Sequence, residues 1–237
     1  MPIGGGSFTV QNKVLPGAYI NFVSMGTNAK MGERGVAALP LELNWGPEGQ
    51  VFKLDAADFN ATSMKVFGYD PTDANILLVR EAMKRAKTLL IYRVNGGGTK
   101  ASATVGGMTV TAKYGGTRGN AIKVAVITNV DDATKADVVT YLDDMVMDSQ
   151  TVAKSGGAAS LVANDFVTFG TVATLAAATA TPLTGGANAT VNAAKHTAAL
   201  TAFEVETFNV IGYPGTVEDI KSLYLSLIHI SEPTRPY

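Results

Sequence analysis

Histidine and cysteine are the side chains most used for nucleophilic and metal chemistry, and this chain has two histidines and no cysteine. His196 lies beside Lys195 in an alanine-rich segment, where a core or surface helical histidine is the more common role. Zinc sites need several histidine, cysteine or carboxylate ligands that converge, and no such spacing occurs. The lack of cysteine also excludes disulfides, which fits assembly in a reducing cytosol. The sequence therefore predicts no catalytic residue, no metal site and no cofactor.

Two glycine-rich segments invite comparison with phosphate-binding loops. NGGGTK at 95–100 and GGTRGN at 115–120 match neither G-x-x-x-x-G-K-[ST] nor G-x-G-x-x-G before a helix. Both adjoin strand-like runs, so we interpret the first as a hinge and the second as a hairpin turn. Arg118, in the second segment, is a candidate for a salt bridge between subunits.

Paired acidic residues at 131–132 and 143–144 could bind a cation, but a calcium loop needs more oxygen ligands at fixed spacing. Aspartate favours turns, so we interpret both pairs as solvated turns between strands. Trp45 is followed by glycine and proline and is expected to be a packing anchor rather than a ligand platform.

Bulk composition indicates a globular chain that folds around a substantial core. The chain has 237 residues, 46% of them hydrophobic, and a formal net charge of −1. The near-neutral charge predicts no binding to nucleic acid, and the apolar runs are shorter than the roughly 20 residues that span a bilayer. No secretory signal is visible at the amino terminus.

The elements that must position these residues follow an α/β pattern that is interrupted once. Strand-like runs occur at 36–43 and 88–94. A helix is predicted between them, with Asp73 as its candidate N-cap. The second run has the continuous apolar character of a central buried strand. Residues 25–98 are therefore predicted to form the first half of an α/β core. A helix from 189, an apolar strand at 208–212 and a helix start near Thr216 place its second half at 188–224.

Between these halves, residues 99–187 have an all-β pattern of short valine- and threonine-rich runs separated by glycine and aspartate turns. We predict a discontinuous α/β core domain, α/β or α+β by class, with an inserted all-β domain of sandwich or barrel type. Glycines at both junctions and the self-contained pattern predict that 99–187 folds alone.

The amino terminus, residues 1–24, is predicted to be an extended strand arm. It begins with glycines at 4–6 and is broken by a Pro16-Gly17 turn. Its β-branched and aromatic residues could pair with the sheet edge of a neighbouring subunit, or the strand could begin the chain's own sheet. The residues expected to contact the neighbour are Phe8, Val10, Val14, Tyr19, Ile20 and Phe22.

The last residues, 225–237, read LSLIHISEPTRPY. From Leu225 to Arg235 they match the translation of a transposase adapter used in sequencing libraries, so we expect this tail, including His229, to be non-native. The alternative is a genuine apolar strand with a proline-rich end. On the first interpretation the native sequence is cut near Tyr224.

Several stretches together resemble one known family. They are LPGAYINF (15–22), ERGVAALPLELNWGP (33–47), AMKRAKTLLIYRVNGG (82–97), TVTAKYGGTRGNAIKV (109–124) and FNVIGYPG (208–215). With the inserted β-domain, they are similar to the contractile tail sheath proteins of myophages and phage-tail-like bacteriocins. The family's carboxyl-terminal part, which includes a second arm, has no counterpart here.

This resemblance implies a structural protein of the virion tail, assembled in the bacterial cytoplasm. Sheath subunits stack in rings around a tail tube, exchange strands through their arms, contact baseplate and tail terminator proteins, and contract to drive the tube through the target envelope. The alternatives are another phage tail component, such as a tube or baseplate protein, and an α/β enzyme with an inserted β-domain.

Overall fold

A computed structural model describes residues 35–231, with side chains to residue 226. The predicted arm at 1–24 therefore lies outside the described residues. In chain order the elements are β1 (Val36–Leu41), β2 (Val51–Asp55), α1 (Phe59–Phe67), α2 (Leu77–Met83), β3 (Thr88–Arg93), β4 (Lys100–Val105), β5 (Met108–Gly115), β6 (Ile122–Thr128), β7 (Lys135–Leu142), β8 (Met145–Ala153), β9 (Val167–Phe169), β10 (Ala178–Pro182), α3 (Ala193–Glu204), β11 (Val210–Ile211) and α4 (Glu218–Ser231). Short 3-10 turns occupy Ala74–Ile76, Thr117–Ala121 and Gly157–Ser160.

The core sheet has four strands in the order β11-β1-β3-β2. β11, β1 and β3 run parallel, and β2 pairs antiparallel with β3. All six residues of β3 are buried, because helices cover both faces of the sheet. The prediction of a central buried strand at 88–94 is thus confirmed.

Alternation along β3 divides the core into two layers. Leu89 and Ile91 join the cluster formed with α1 and α2 on one face. Leu90 and Tyr92 join the cluster formed with Phe203 of α3 on the other. This period of two is what a strand buried on both faces requires.

Two local features depart from what single residues favour. A proline inside a strand favours an edge position or a bulge, yet β1 is internal; within residues 35–231, β11 pairs only with Ala37 and Ala38, so at Pro40 the strand has a described neighbour on one side only. The helix expected to begin at Asp73 starts later, at Leu77. Asp73 caps a 3-10 turn by accepting from the Asn75 N–H at 2.8 Å, and the Lys87 N–H already bonds to Gly35 O in the sheet region.

The inserted domain consists of two sheets, ordered β10-β6-β7-β8 and β4-β5-β9, around one hydrophobic cluster. Two tight hairpins organise it, with positive φ at Gly106 and Gly107 and, without glycine, at Asp143 and Asp144. Thr99 and Ala187 form a bridge where the inserted segment begins and ends. The mixed fold class with an all-β insertion is confirmed.

α4 begins at Glu218, close to the predicted start, and extends to Ser231, into the segment that was expected to be non-native. Ile220 and Tyr224 bury against α3, whereas Leu225 is half exposed. The adapter origin of 225–237 stays a prediction.

Candidate functional site

His196 is a structural residue in the described chain. Its Nδ1 lies 2.9 Å from the Tyr224 hydroxyl, and its ring meets Tyr213 edge-on. Burial lowers the pKa of the imidazole, although the carboxylate of Glu42 opposes this shift. The contact fastens α4 to α3. Within residues 35–231, no group of three or more His, Asp or Glu side chains could hold a metal ion.

The glycine-rich turns are close-packed against protein backbone. A Cβ on Gly116 would lie 2.2 Å from Asn44 O, and one on Gly98 would lie 2.1 Å from Ala187 O. Glycine is therefore needed at these positions so that two backbone segments of the protein can pack closely, and not so that a phosphate can bind. The second segment is not the predicted hairpin turn, because β5 and β6 lie in different sheets and a 3-10 turn at Thr117–Ala121 joins them. Both segments lie where the inserted domain meets the core.

Arg118 reaches from the inserted domain to the core. Its Nε donates to Gly68 O at 2.6 Å, and its guanidinium lies 4.3 Å from the Tyr69 ring centre. Its Nη1 donates to Asp143 at 3.0 Å and Nη2 makes the second bond of the pair. The side chain is only 11% exposed. The Asp143 turn is thus held by an arginine, a partner that sequence reasoning missed.

Trp45 reaches in the opposite direction, from the β1–β2 loop of the core into the inserted domain. It is 1% exposed and belongs to the hydrophobic cluster of the insert. Its ring stands perpendicular to Tyr114 at 5.3 Å and stacks on Phe166 at 6.4 Å. Its Nε1 has no hydrogen-bond partner among the described residues. Apolar packing alone therefore fixes the ring, in line with the expected anchor role.

A buried arginine ties both junction segments together. Arg93 is 1% exposed and donates to Asn95 Oδ1 at 3.2 Å, Gly46 O at 3.2 Å and Asn188 Oδ1 at 3.4 Å. Burial lowers the pKa of this guanidinium, and Glu48 opposes the shift. Asn188 also donates to Asn44 Oδ1 at 2.8 Å. The segments before and after the insertion thus share one polar network with the β1–β2 loop.

An ion pair at the surface adds a further contact. Lys65 of α1 lies 3.0 Å from Asp165 of the inserted domain, and Lys113 lies 3.7 Å from the same carboxylate. Lys65 holds the pKa of Asp165 below its usual range. Both Lys65 and Asp165 are well exposed, so the pair contributes at most about 1 kcal/mol.

The core sheet presents two edges within residues 35–231. β2, of five residues, pairs there only with β3, and β11, of two residues, pairs only with β1. An edge of this kind can accept an added strand. In this part of the chain, no helix is long and apolar enough to cross a bilayer.

Two family models match the chain in succession. The first, described as the tail sheath protein Gp18 domain III N-terminal region, matches residues 34–94. The second, described as the phage tail sheath protein beta-sandwich domain, matches residues 96–188.

Relatives and solved structures cover most of the chain. It is 38% identical to the uncharacterized protein YqbK of Bacillus subtilis (strain 168) over 95% of its length, and 36% identical to the phage-like element PBSX protein XkdK of the same strain over 95%. A sheath tail protein of Desulfitobacterium hafniense is 41% identical over 89% of the chain, with a TM-score of 0.76, and one of Listeria innocua is 36% identical over 83%, with a TM-score of 0.73. The chain spans about half the length of these proteins: 51% and 52% of the curated relatives, 48% and 44% of the solved structures.

Proposed function

Since the chain belongs to the phage tail sheath protein family, we propose that it is a structural subunit of a contractile tail sheath. The observation that carries the proposal is the likeness to the Desulfitobacterium hafniense sheath tail protein, at 41% identity and a TM-score of 0.76. The role is mechanical, and it assigns no catalytic chemistry to the chain. Subunits self-assemble into a helical polymer around the tail tube and contract to drive the tube through the target cell envelope.

The partners in this proposal are other copies of the same protein, the tail tube protein, and the baseplate and tail terminator proteins. Assembly takes place in the bacterial cytoplasm, and the product is part of the virion tail. A head-to-tail contact that does not close generates such a helical lattice.

The amino-terminal arm is proposed to link neighbouring subunits by strand addition. Its contact residues are Phe8, Val10, Val14, Tyr19, Ile20 and Phe22. The acceptor with the longer edge is β2, whose five residues could pair with a run such as 18–22. This supports an interface made largely of backbone hydrogen bonds.

Arg118 is proposed to contribute to an inter-subunit ion pair under one condition. Its guanidinium already binds Gly68 O and Asp143 within the subunit. The condition is that a carboxylate of the neighbouring subunit binds the same guanidinium N–H groups as Asp143. It would have to approach from the side of the guanidinium that is open to solvent.

Electron microscopy of the full-length protein tests the function. We expect hollow helical sheaths wider than a tail tube. Thin rigid tubes would instead indicate a tube protein, and persistent monomers in the presence of tube protein would contradict a sheath role.

A further inference from the structure

Trp45 completes a hydrophobic core that belongs to another domain. Two glycines border the indole: a Cβ on Gly68 would lie 3.3 Å from Trp45 Cγ, closer than an ordinary contact, and one on Gly119 would lie 3.6 Å from Trp45 Cζ3, at ordinary contact distance. Gly119 comes from the inserted domain and Gly68 from the end of α1. Both domains therefore place a glycine beside the indole.

Arg118 makes the reciprocal connection. Its side-chain Nε donates to the carbonyl of the same Gly68. Its backbone N–H donates at 3.3 Å to the carbonyl of Asn44, the residue that precedes Trp45. Each domain thus places one large side chain in the other, and the two side chains meet at Gly68.

We infer that Trp45 and Arg118 form a reciprocal clamp through which the inserted β-domain and the α/β core fold as one cooperative unit. Without Trp45, the rings of Tyr114 and Phe166 would lose their central partner and the cluster would open toward the core. The inference differs from the sequence-based expectation that 99–187 folds alone. It does not depend on the sheath function.

Native-state hydrogen exchange on the full chain tests the clamp, with the slowest amides of β3 reporting the core and those of β6 and β7 reporting the insert. In the unaltered chain both sets should exchange at the rate set by one global opening. In Trp45→Ala, the amides of β6 and β7 should exchange about 100-fold faster or more, because a large cavity opens in their core. The amides of β3 should change by less than about tenfold.

Met108→Ala is the matched control. Met108 is also fully buried in the insert, but it lies at the end of β5 remote from Tyr114. With the clamp intact, this variant should accelerate exchange in β3 and β6 by the same factor. Equal acceleration of both sets in Trp45→Ala, or unequal rates in the unaltered chain, would overturn the inference.

Two milder variants keep the test valid if Trp45→Ala does not fold. Trp45→Phe should keep the two rates equal, because the indole N–H makes no hydrogen bond among the described residues. Arg118→Ala should separate them, since it removes the bond to Gly68 O and the stack on Tyr69. If the exchange rates of β3 and of β6 and β7 stay equal in Arg118→Ala, Arg118 is not part of the clamp.

Discussion

The buried arginine at the junction, Arg93, is stabilised mainly by neutral partners. Arg93 donates to the side-chain oxygens of Asn95 and Asn188 and to the backbone oxygen of Gly46, and the carboxylate of Glu48 favours its charged form. A buried guanidinium that satisfies its donors in this way avoids the full cost of an unpaired charge. His196 likewise has a neutral partner, the Tyr224 hydroxyl, and burial lowers the pKa of its imidazole.

The pH dependence of the protein's stability should reflect the protonation of His196. Burial lowers its pKa below the ordinary value of 6.5, so folding favours the neutral ring. This contribution is present above pH 6.5 and is lost progressively as the pH falls, because the unfolded chain then takes up the proton more readily. We expect the melting temperature to fall between about pH 7.5 and about pH 5.5, and His196→Gln to show a smaller fall.

The substitution isolates one histidine, because His229 is present in both proteins. Glutamine keeps a polar group near the Tyr224 hydroxyl but does not titrate. An unchanged pH slope in His196→Gln would show that other groups dominate this range.

Helices and strands can be predicted from this sequence where a single local pattern of apolar residues specifies them. β3 follows from its apolar run, and α3 from its spacing. α3 begins at Ala193 rather than at 189, because Asn192 caps it by accepting from the Lys195 N–H at 3.1 Å. β10 follows from no such pattern, because Ala178–Pro182 is a short alanine–threonine run that ends in proline and lies partly exposed. The clamp was not predictable, since nothing near Trp45 in sequence indicates Tyr114 or Phe166.

The glycine at the first junction should be irreplaceable for packing reasons. In Gly98→Ala the new Cβ would lie 2.1 Å from Ala187 O and 2.8 Å from Ala189 N, both backbone atoms. We expect a loss of about 3 kcal/mol or more in the free energy of unfolding, measured by urea denaturation.

Gly185→Ala provides the comparison at the second junction. Gly185 has a φ of +81° but nothing within 4 Å of an added Cβ. Only the backbone preference is then lost, at about 1 kcal/mol. If the two variants lose similar amounts of unfolding free energy, the backbone around Gly98 must shift easily to accommodate the added Cβ.

At the scale of the whole molecule, the described residues join a sheet with two edge strands to the inserted β-domain. Within residues 35–231, the core sheet ends in β2 on one side and in the very short β11 on the other. A polymer whose subunits are linked through such edges combines rigid bodies with strand-to-strand connections. This arrangement suits a lattice that changes shape without losing its links.

The arm is the proposed link, and its removal should separate assembly from folding. Each added backbone hydrogen bond contributes about 0.5–1.5 kcal/mol net, and each buried large apolar side chain about 1.5–3 kcal/mol. Deletion of residues 1–16 from the full-length protein should therefore abolish helical polymers in electron micrographs. The monomer's melting temperature should hardly change.

A length-preserving change of the three glycines at 4–6 to serine serves as the control and should assemble normally. If the deletion unfolds the monomer, the strand belongs to the subunit's own sheet. If polymers form as before, the link lies elsewhere.

The position of Trp45 in the chain has a consequence for synthesis on the ribosome. Translation runs from the amino end, so the indole emerges before every strand of the domain that buries it. Phe166, on which it stacks, follows only when most of the inserted segment has been made. During that interval the nascent chain carries its single tryptophan in water. A pause in translation before residue 166 would therefore prolong an aggregation-prone state.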